Sequence, residues 1–199
     1  MSLNASPELV GKVIFVVGLI AFVAIRVPHD RQRKLVRVDD ARRGVLEVAL
    51  MAGVAAGCFV VPLLFVLTPL FAFADSAIDV FRVVSGSLAL VLALWLFRRA
   101  HVDLGANWSP TLELREQHQL VNHGVYRVVR HPMYSSFVVY GLAQALLLAN
   151  WVGGPAFLVA FGVMFVFRIG AEERMMRERF GQAYDDYAAG TKRLIPFVW

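Results

Sequence analysis

Charge is scarce in this sequence. Asp, Glu, Lys and Arg make up 18% of its 199 residues, while the apolar set, glycine not included, reaches 58%. Soluble domains hold roughly 45–50% apolar residues with glycine included. A water-soluble globule of this size has nowhere to hide so much apolar surface, which excludes that class and indicates an integral membrane protein. Cysteine is nearly absent. Cys58 alone, inside an apolar run, excludes an intrachain disulfide and any Cys-x-x-Cys redox or metal site, and reads as a small buried hydrophobe. Missing too are Gly-x-Gly-x-x-Gly after a strand, the phosphate-binding Gly-x4-Gly-Lys-[Ser/Thr], His-Glu-x-x-His and Gly-x-Ser-x-Gly, each tied to a common chemistry. His118, His123 and His131 lack paired ligand spacing, so no metal is expected. No secretory signal is evident, because the first apolar run lacks a charged lead and a small-residue cleavage site.

What is present is a series of apolar runs. They cover about Leu9–Val27, Val45–Ala74, Val80–Phe97, Ser135–Ala149 and Pro155–Ile169, near the roughly 20 residues that span a bilayer except for the two shorter last runs. Pro62 and Pro69 interrupt the second run and predict a tilt or kink there. The last two runs flank Asn150-Trp-Val-Gly-Gly154 and predict an antiparallel helical hairpin. The expectation is an all-α protein of five transmembrane helices in a single membrane domain, 1–199, with three N-terminal helices in 1–99 and a functional core in 100–199. The net charge of +5 would suggest nucleic acid in a soluble chain, but here the basic residues sit between apolar runs. Of the 20 Lys and Arg residues, only Lys12 and Arg82 fall outside three segments: 26–43, 98–130 and 168–193. The positive-inside rule then puts the N-terminus outside and those segments and the C-terminus in the cytoplasm, in the inner membrane if the cell is bacterial, beside anionic lipid.

Two polar segments, His101–Pro132 and Glu172–Trp199, flank the hairpin on that same side. The tail repeats Met176, Phe180, Ala183, Tyr184 and Tyr187 near helical spacing, which predicts an amphipathic helix lying on the membrane surface. The 101–134 loop, the hairpin and this helix would enclose a pocket. The loop ends in Gly124-Val-Tyr126-Arg-Val-Val-Arg130-His131-Pro132-Met-Tyr134. Gly124 permits a tight turn and close backbone approach to a ligand. Pro132 predicts a helix start, whose N–H groups suit an anion such as a carboxylate. On the residues alone, a headgroup-anchored entry loop fits equally well. Arg168 and Glu172, four apart at the mouth of the last run, share a helix face. They read either as a functional pair or as a snorkelling arginine with a surface ion pair worth under about 1 kcal/mol. Trp108, Trp151 and Trp199 read more readily as interfacial anchors than as lining of an entrance.

The Gly124–Tyr134 block, the hairpin, Glu172-Glu173, Phe180-Gly181, Tyr184 and Arg193-Leu-Ile-Pro196 together resemble the isoprenylcysteine carboxyl methyltransferase family, related to the membrane phospholipid N-methyltransferases. The resemblance covers roughly residues 100–199. It implies S-adenosylmethionine as methyl donor, with S-adenosylhomocysteine as product, in a cytosol-facing pocket. Carried over by position, cofactor contacts fall on His118, Gln119, Leu120, Val121, Tyr126, His131, Pro132, Met133, Tyr134 and Glu172. A substrate-orienting, catalytic arginine falls on Arg168, with Arg130 as a second candidate. The acceptor it implies is an isoprenylcysteine-like carboxylate, or another lipophilic or prenylated acceptor entering from the bilayer.

A carboxylate is ionised at neutral pH and needs no general base, so proximity and desolvation would carry the reaction. A thiol or phospholipid amine acceptor would need proton removal, by Glu173 or His131. An NADPH-dependent membrane reductase and a non-enzymatic membrane protein are the competing classes.

Overall fold

The computed structural model describes residues 6–33, 38–41, 44–109, 113–115 and 119–196. Helix α1 (Pro7–Arg33) is followed by strand β1 (Val38–Ala41), α2 (Val45–Ala55), α3 (Val61–Leu67) and α4 (Val80–Leu104). Strand β2 (Glu113–Arg115), α5 (Pro132–Leu147), α6 (Ala156–Phe180) and α7 (Gln182–Gly190) complete the chain. The two strands, absent from the all-helical expectation, pair antiparallel with Asp40 opposite Leu114. They tie the loop before α2 to the loop before α5.

Burial is inverted relative to a soluble protein. Val17, Ile20, Leu88, Val91 and Val166 are all at least 60% exposed, while Glu47, His101, Gln144, Arg168 and Glu173 are buried. By length and composition, Pro7–Arg31, Val45–Leu67 and Val80–Leu104 are able to cross a bilayer. The 16-residue α5 extends about 24 Å at 1.5 Å per residue, short of the roughly 30 Å hydrocarbon core. Helix α6 has the length but carries Arg168, Glu172, Glu173 and Arg174 in its second half. An aromatic seam joins the helices: Phe22 of α1 stacks on Phe97 of α4 at 4.2 Å, and Phe137 of α5 meets Phe157 and Phe161 of α6 edge-on at 5.9 and 5.4 Å.

The distortion expected at Pro62 has a definite form. Between α2 and α3 the helix widens to a π-turn over Ala56–Val60, and Val61 N–H donates five residues back, to the Ala56 carbonyl. The next donor in that register would come from residue 62, and proline has none. The Gly57 carbonyl is served instead by Gln144 Nε2 of α5 at 3.2 Å, which also donates to Gly153 O at 2.8 Å. In hydrocarbon such a carbonyl has no water to turn to. Gly57 is required for closeness, since a Cβ there would meet the backbone of Ala156 and Phe157.

The amphipathic helix of the tail is placed differently from the expectation. Helix α6 does not end near Ile169 but continues to Phe180. Gly170 costs only about 1 kcal/mol in a helix, and the Ala171–Arg179 stretch is made of strong helix formers. Glu172 and Glu173 therefore ride on the same helix as Arg168, and the separate surface element is the short α7.

Candidate active site

A cavity of about 420 Å³ opens between α1, α2, α5, α6 and the loop before α5. One part is apolar, lined by Phe22, Val54, Cys58, Phe59, Phe137, Phe157 and Met164. The other is polar, lined by Arg26, Asp30, Asn107, Gln119, His131, Tyr134, Arg168, Glu172, Tyr184 and Tyr187. Leu120, Val121, Tyr126, Arg130 and Met133 also reach its wall. The residues singled out by sequence are thus brought together, with two exceptions. Pro132 is buried as the first residue of α5 without lining the cavity, and His118 lies outside the described residues.

Local chemistry explains the convergence. Pro132 starts α5 as predicted, so His131 stands just ahead of the helix with φ −124° and ψ 60°. Its ring stacks on Tyr134 at 5.4 Å. The backbone N–H groups of Arg130 and His131 donate to Lys192 O and Arg193 O at 2.7 and 3.0 Å. Ser135 Oγ donates to Leu194 O at 2.6 Å. The two distant sequence elements, Arg130-His131-Pro132 and Arg193-Leu-Ile-Pro196, are therefore laid side by side. Gly124, at φ 57°, does make a close approach, but to a carboxylate of the protein itself. A Cβ there would overlap Asp103, which accepts from Val125 N at 2.9 Å and pairs with Arg99 at 3.1 Å.

Glu172 and Glu173 face different partners. Glu172 Oε2 accepts from the Tyr134 hydroxyl at 2.5 Å. It lies 3.5 Å from Arg168 Nε, and its Oε1 lies 3.7 Å from His131 Nδ1. Burial opposes ionisation, but His131, Arg168 and Tyr134 outweigh it and hold the carboxyl at about 2, against an ordinary 4.5. Glu173, 1% exposed, accepts from Arg193 at 3.1 and 2.9 Å and from Arg130 Nε and Nη2 at 3.2 Å each. Burial raises its pKa, and His131, Arg193 and Arg130 more than reverse this, so the carboxyl is held well below the usual range. His131 is pushed the other way: burial lowers it, and the two flanking carboxylates raise it above 6.5.

Arg130 also donates from Nη1 to Ala188 O at 2.9 Å and to Thr191 O. Its donors are directed at Glu173 and the C-terminal end of α7. Arg168, 7% exposed, meets Glu47 Oε1 of α2 at 3.5 Å through Nη1. Met133 Sδ accepts from Trp108 Nε1 at 3.2 Å, and Gln119 N donates to Asn107 Oδ1 at 3.1 Å. Trp108 is 1% exposed beneath the Arg26 guanidinium, 4.9 Å from the ring centre. It is a cavity-wall residue rather than the interfacial anchor expected. Trp151 is exposed in the α5–α6 turn as an anchor would be, and Trp199 lies outside the described residues.

Sequence reasoning missed Met51, Arg26, Asp30 and Tyr184 as cavity residues, and Glu47 as a partner of Arg168. For Glu47 a signal existed: an acid in the first turn of an otherwise apolar run. Three or more His, Cys, Asp or Glu side chains placed to hold a metal ion are not found among the described residues.

Residues 87–178 match the model of the isoprenylcysteine carboxyl methyltransferase (ICMT) family. Protein-S-isoprenylcysteine O-methyltransferase B of Arabidopsis thaliana is 32% identical over 115 residues, 57% of this chain and 58% of that protein. The protein-S-isoprenylcysteine O-methyltransferase of Tribolium castaneum is also 32% identical over 115 residues, 57% of this chain and 41% of its own length. The chain spans about half the length of the curated relatives it matches. A solved structure described as the eukaryotic intramembrane Ras methyltransferase ICMT superposes with a TM-score of 0.55 at 22% identity, covering 98% of this chain and 70% of that one. At that identity the likeness is one of fold.

Proposed function

We propose that this chain, whose residues 87–178 match the model of the isoprenylcysteine carboxyl methyltransferase family, is a membrane methyltransferase. Its donor is S-adenosylmethionine, and its acceptor is a carboxylate on an isoprenylcysteine-like or other lipophilic molecule that enters from the bilayer. The observation that carries the reading is the union, in one cavity, of Arg168 and Glu172 with an aromatic and aliphatic wall.

The donor set fits the cofactor. A volume of about 420 Å³ lies in the range of small-molecule sites, roughly 300–1,000 Å³. The Tyr184 hydroxyl is buried on its wall with no hydrogen-bond partner among the described residues. When bound, S-adenosylmethionine would supply an electrophilic methyl group on sulfur. Glu172, kept ionised by its neighbours, suits an ammonium group. Gln119, Leu120, Val121, Tyr126, His131, Met133 and Tyr134 complete that half of the site, with Pro132 starting the helix that carries Met133 and Tyr134. Arg168 presents a guanidinium fork, which pairs with a carboxylate more specifically than a lysine does. The apolar wall excludes water and receives the acceptor's tail. No base is required for a carboxylate acceptor, because it is already ionised; alignment and desolvation do the work. Arg130, committed to Glu173 and the C-terminal end of α7, serves as an organiser of the site.

In the bilayer we place α1, α2–α3, α4, α5 and α6 as five crossings, the short α5 being matched by local thinning of the bilayer. The distribution of Lys and Arg supports an outer N-terminus and a cytoplasmic site. Calorimetric titration of the purified chain in detergent tests the proposal, with S-adenosylhomocysteine against NADPH. Micromolar binding of the former alone is expected. Binding of NADPH alone would replace the reading by a reductase, and binding of neither by folded protein would replace it by a non-enzyme.

A further inference from the structure

Glu47 lies in the first turn of α2, where a carboxylate favours the positive end of the helix dipole whatever else it does. Its surroundings say more. Val45, Leu46 and Val48 are 89%, 58% and 63% exposed, whereas Glu47 is 9% exposed. The helix start turns its aliphatic residues outward and its acid inward. A carboxylate at membrane depth is costly unless it is paired.

Arg168 provides the pairing. Its Nη1 stands 3.5 Å from Glu47 Oε1, and the same nitrogen donates to Met51 Sδ at 3.4 Å. Glu47 and Met51 are four apart and so share one face of α2. From the other side, Glu172 Oε2 stands 3.5 Å from Arg168 Nε. The guanidinium is therefore held between a carboxylate of α2 and one of its own helix. An arginine used to receive a carboxylate must present its fork in a fixed plane, and that requires its supporting partners to be fixed as well.

We propose that Glu47 is a positioning residue of the acceptor site, which holds the Arg168 fork toward the cavity from across the helix interface. This rests on the reading of Arg168 given above. It also makes α2, which precedes the family-matched residues 87–178, a working part of the site and not only a membrane anchor. The acceptor class it serves is the carboxylate of a lipophilic thioether amino acid.

The test uses the full chain in detergent, with an S-prenylated N-acetylcysteine as acceptor probe. Glu47→Ala should raise the acceptor KM at least about tenfold while the Kd for S-adenosylhomocysteine stays within about twofold. Glu47→Gln keeps an oxygen that can accept from Nη1 and should recover much of that loss. If Glu47→Ala fails to fold, a KM rise of about threefold in Glu47→Gln, at unchanged melting temperature, carries the same meaning. In an Arg168→Lys background, Glu47→Ala should change the acceptor KM less than about twofold, because its route to the acceptor has gone. An unchanged KM in an active Glu47→Ala enzyme, or an equal loss in both backgrounds, overturns the proposal. Wild-type protein that neither binds S-adenosylhomocysteine nor turns over the probe overturns the methyltransferase reading, and this inference with it.

Discussion

The Tyr134 hydroxyl donates to Glu172 Oε2 over 2.5 Å, joining the third residue of α5 to a carboxylate of α6 at the open end of the hairpin. Tyr134 itself is clasped between the His131 ring and the aromatic seam of α6. The most polar contact in the cavity is thus anchored by its apolar wall.

Glu172→Ala should weaken S-adenosylhomocysteine binding by at least about tenfold, the order expected when a charge-assisted hydrogen bond worth roughly 1.5–3 kcal/mol is lost. Tyr134→Phe should have a smaller effect in the same direction. Calorimetry reads both, and normal binding by Glu172→Ala would remove that residue from the cofactor side of the site.

Arg168→Ala should behave in the opposite way. Turnover should vanish, while affinity for S-adenosylhomocysteine remains within a few-fold of wild type. A large loss of cofactor binding would move Arg168 from the acceptor to the donor.

Glu173 binds no ligand in this scheme, and its removal should appear as lost stability. Glu173→Gln leaves Arg130 in a buried setting without its counter-charge and His131 with Glu172 alone, a change of about 3–5 kcal/mol for a broken buried pair. The melting temperature in detergent should fall by several degrees; an unchanged one would mean that the cluster is not a structural clamp.

The same cluster sets a pH window. The Glu172 and Glu173 pKa values are lowered from 4.5, so their contribution is complete above about that pH and fades toward the value of about 2 held by Glu172. His131 is raised above 6.5, so its contribution is complete below 6.5 and is lost as the pH climbs through the raised value. The stability difference between wild type and Glu173→Gln should therefore be largest between about pH 4.5 and 6.5 and shrink on either side. A difference that keeps growing above neutrality would contradict the assignment of His131.

Gln144→Leu should strand the Gly57 carbonyl and cost about 1–3 kcal/mol. Combined with Pro62→Ala, which restores a backbone donor in that stretch, part of the loss should return. Purely additive losses would show that the carbonyl does not need serving.

Much of this arrangement could be read in the residues. The apolar runs locate α1, α2–α3 and α4, because length and hydropathy depend only on local sequence. Pro132 fixes the start of α5, since a proline without an N–H belongs in a first turn. The Arg168–Glu172 pair follows from helical spacing alone. What was hidden depends on contacts between distant segments. Nothing local says that α6 runs on past Ile169, because a change from apolar to charged residues reads the same at a helix end as along a helix that continues into water. Nor could Gly124 reveal whether its backbone approaches a ligand or Asp103. Trp108 looked like an interfacial residue because loop position and burial are decoupled once a loop folds over a cavity. Glu47 could be noticed as an acid in an apolar run, but its partner lies on a helix more than a hundred residues away.

The side-by-side course of residues 129–131 and 192–194 bears on how the molecule is made. Ser135 and its acceptor Leu194 are separated by 59 residues, so the segment that closes the base of the hairpin is made only after both of its helices. Until then the backbone donors of Arg130 and His131 lack their partners, and Glu173 lacks Arg193. Closure of the vestibule is therefore a late, long-range event in the making of the molecule, and not a property of the hairpin itself.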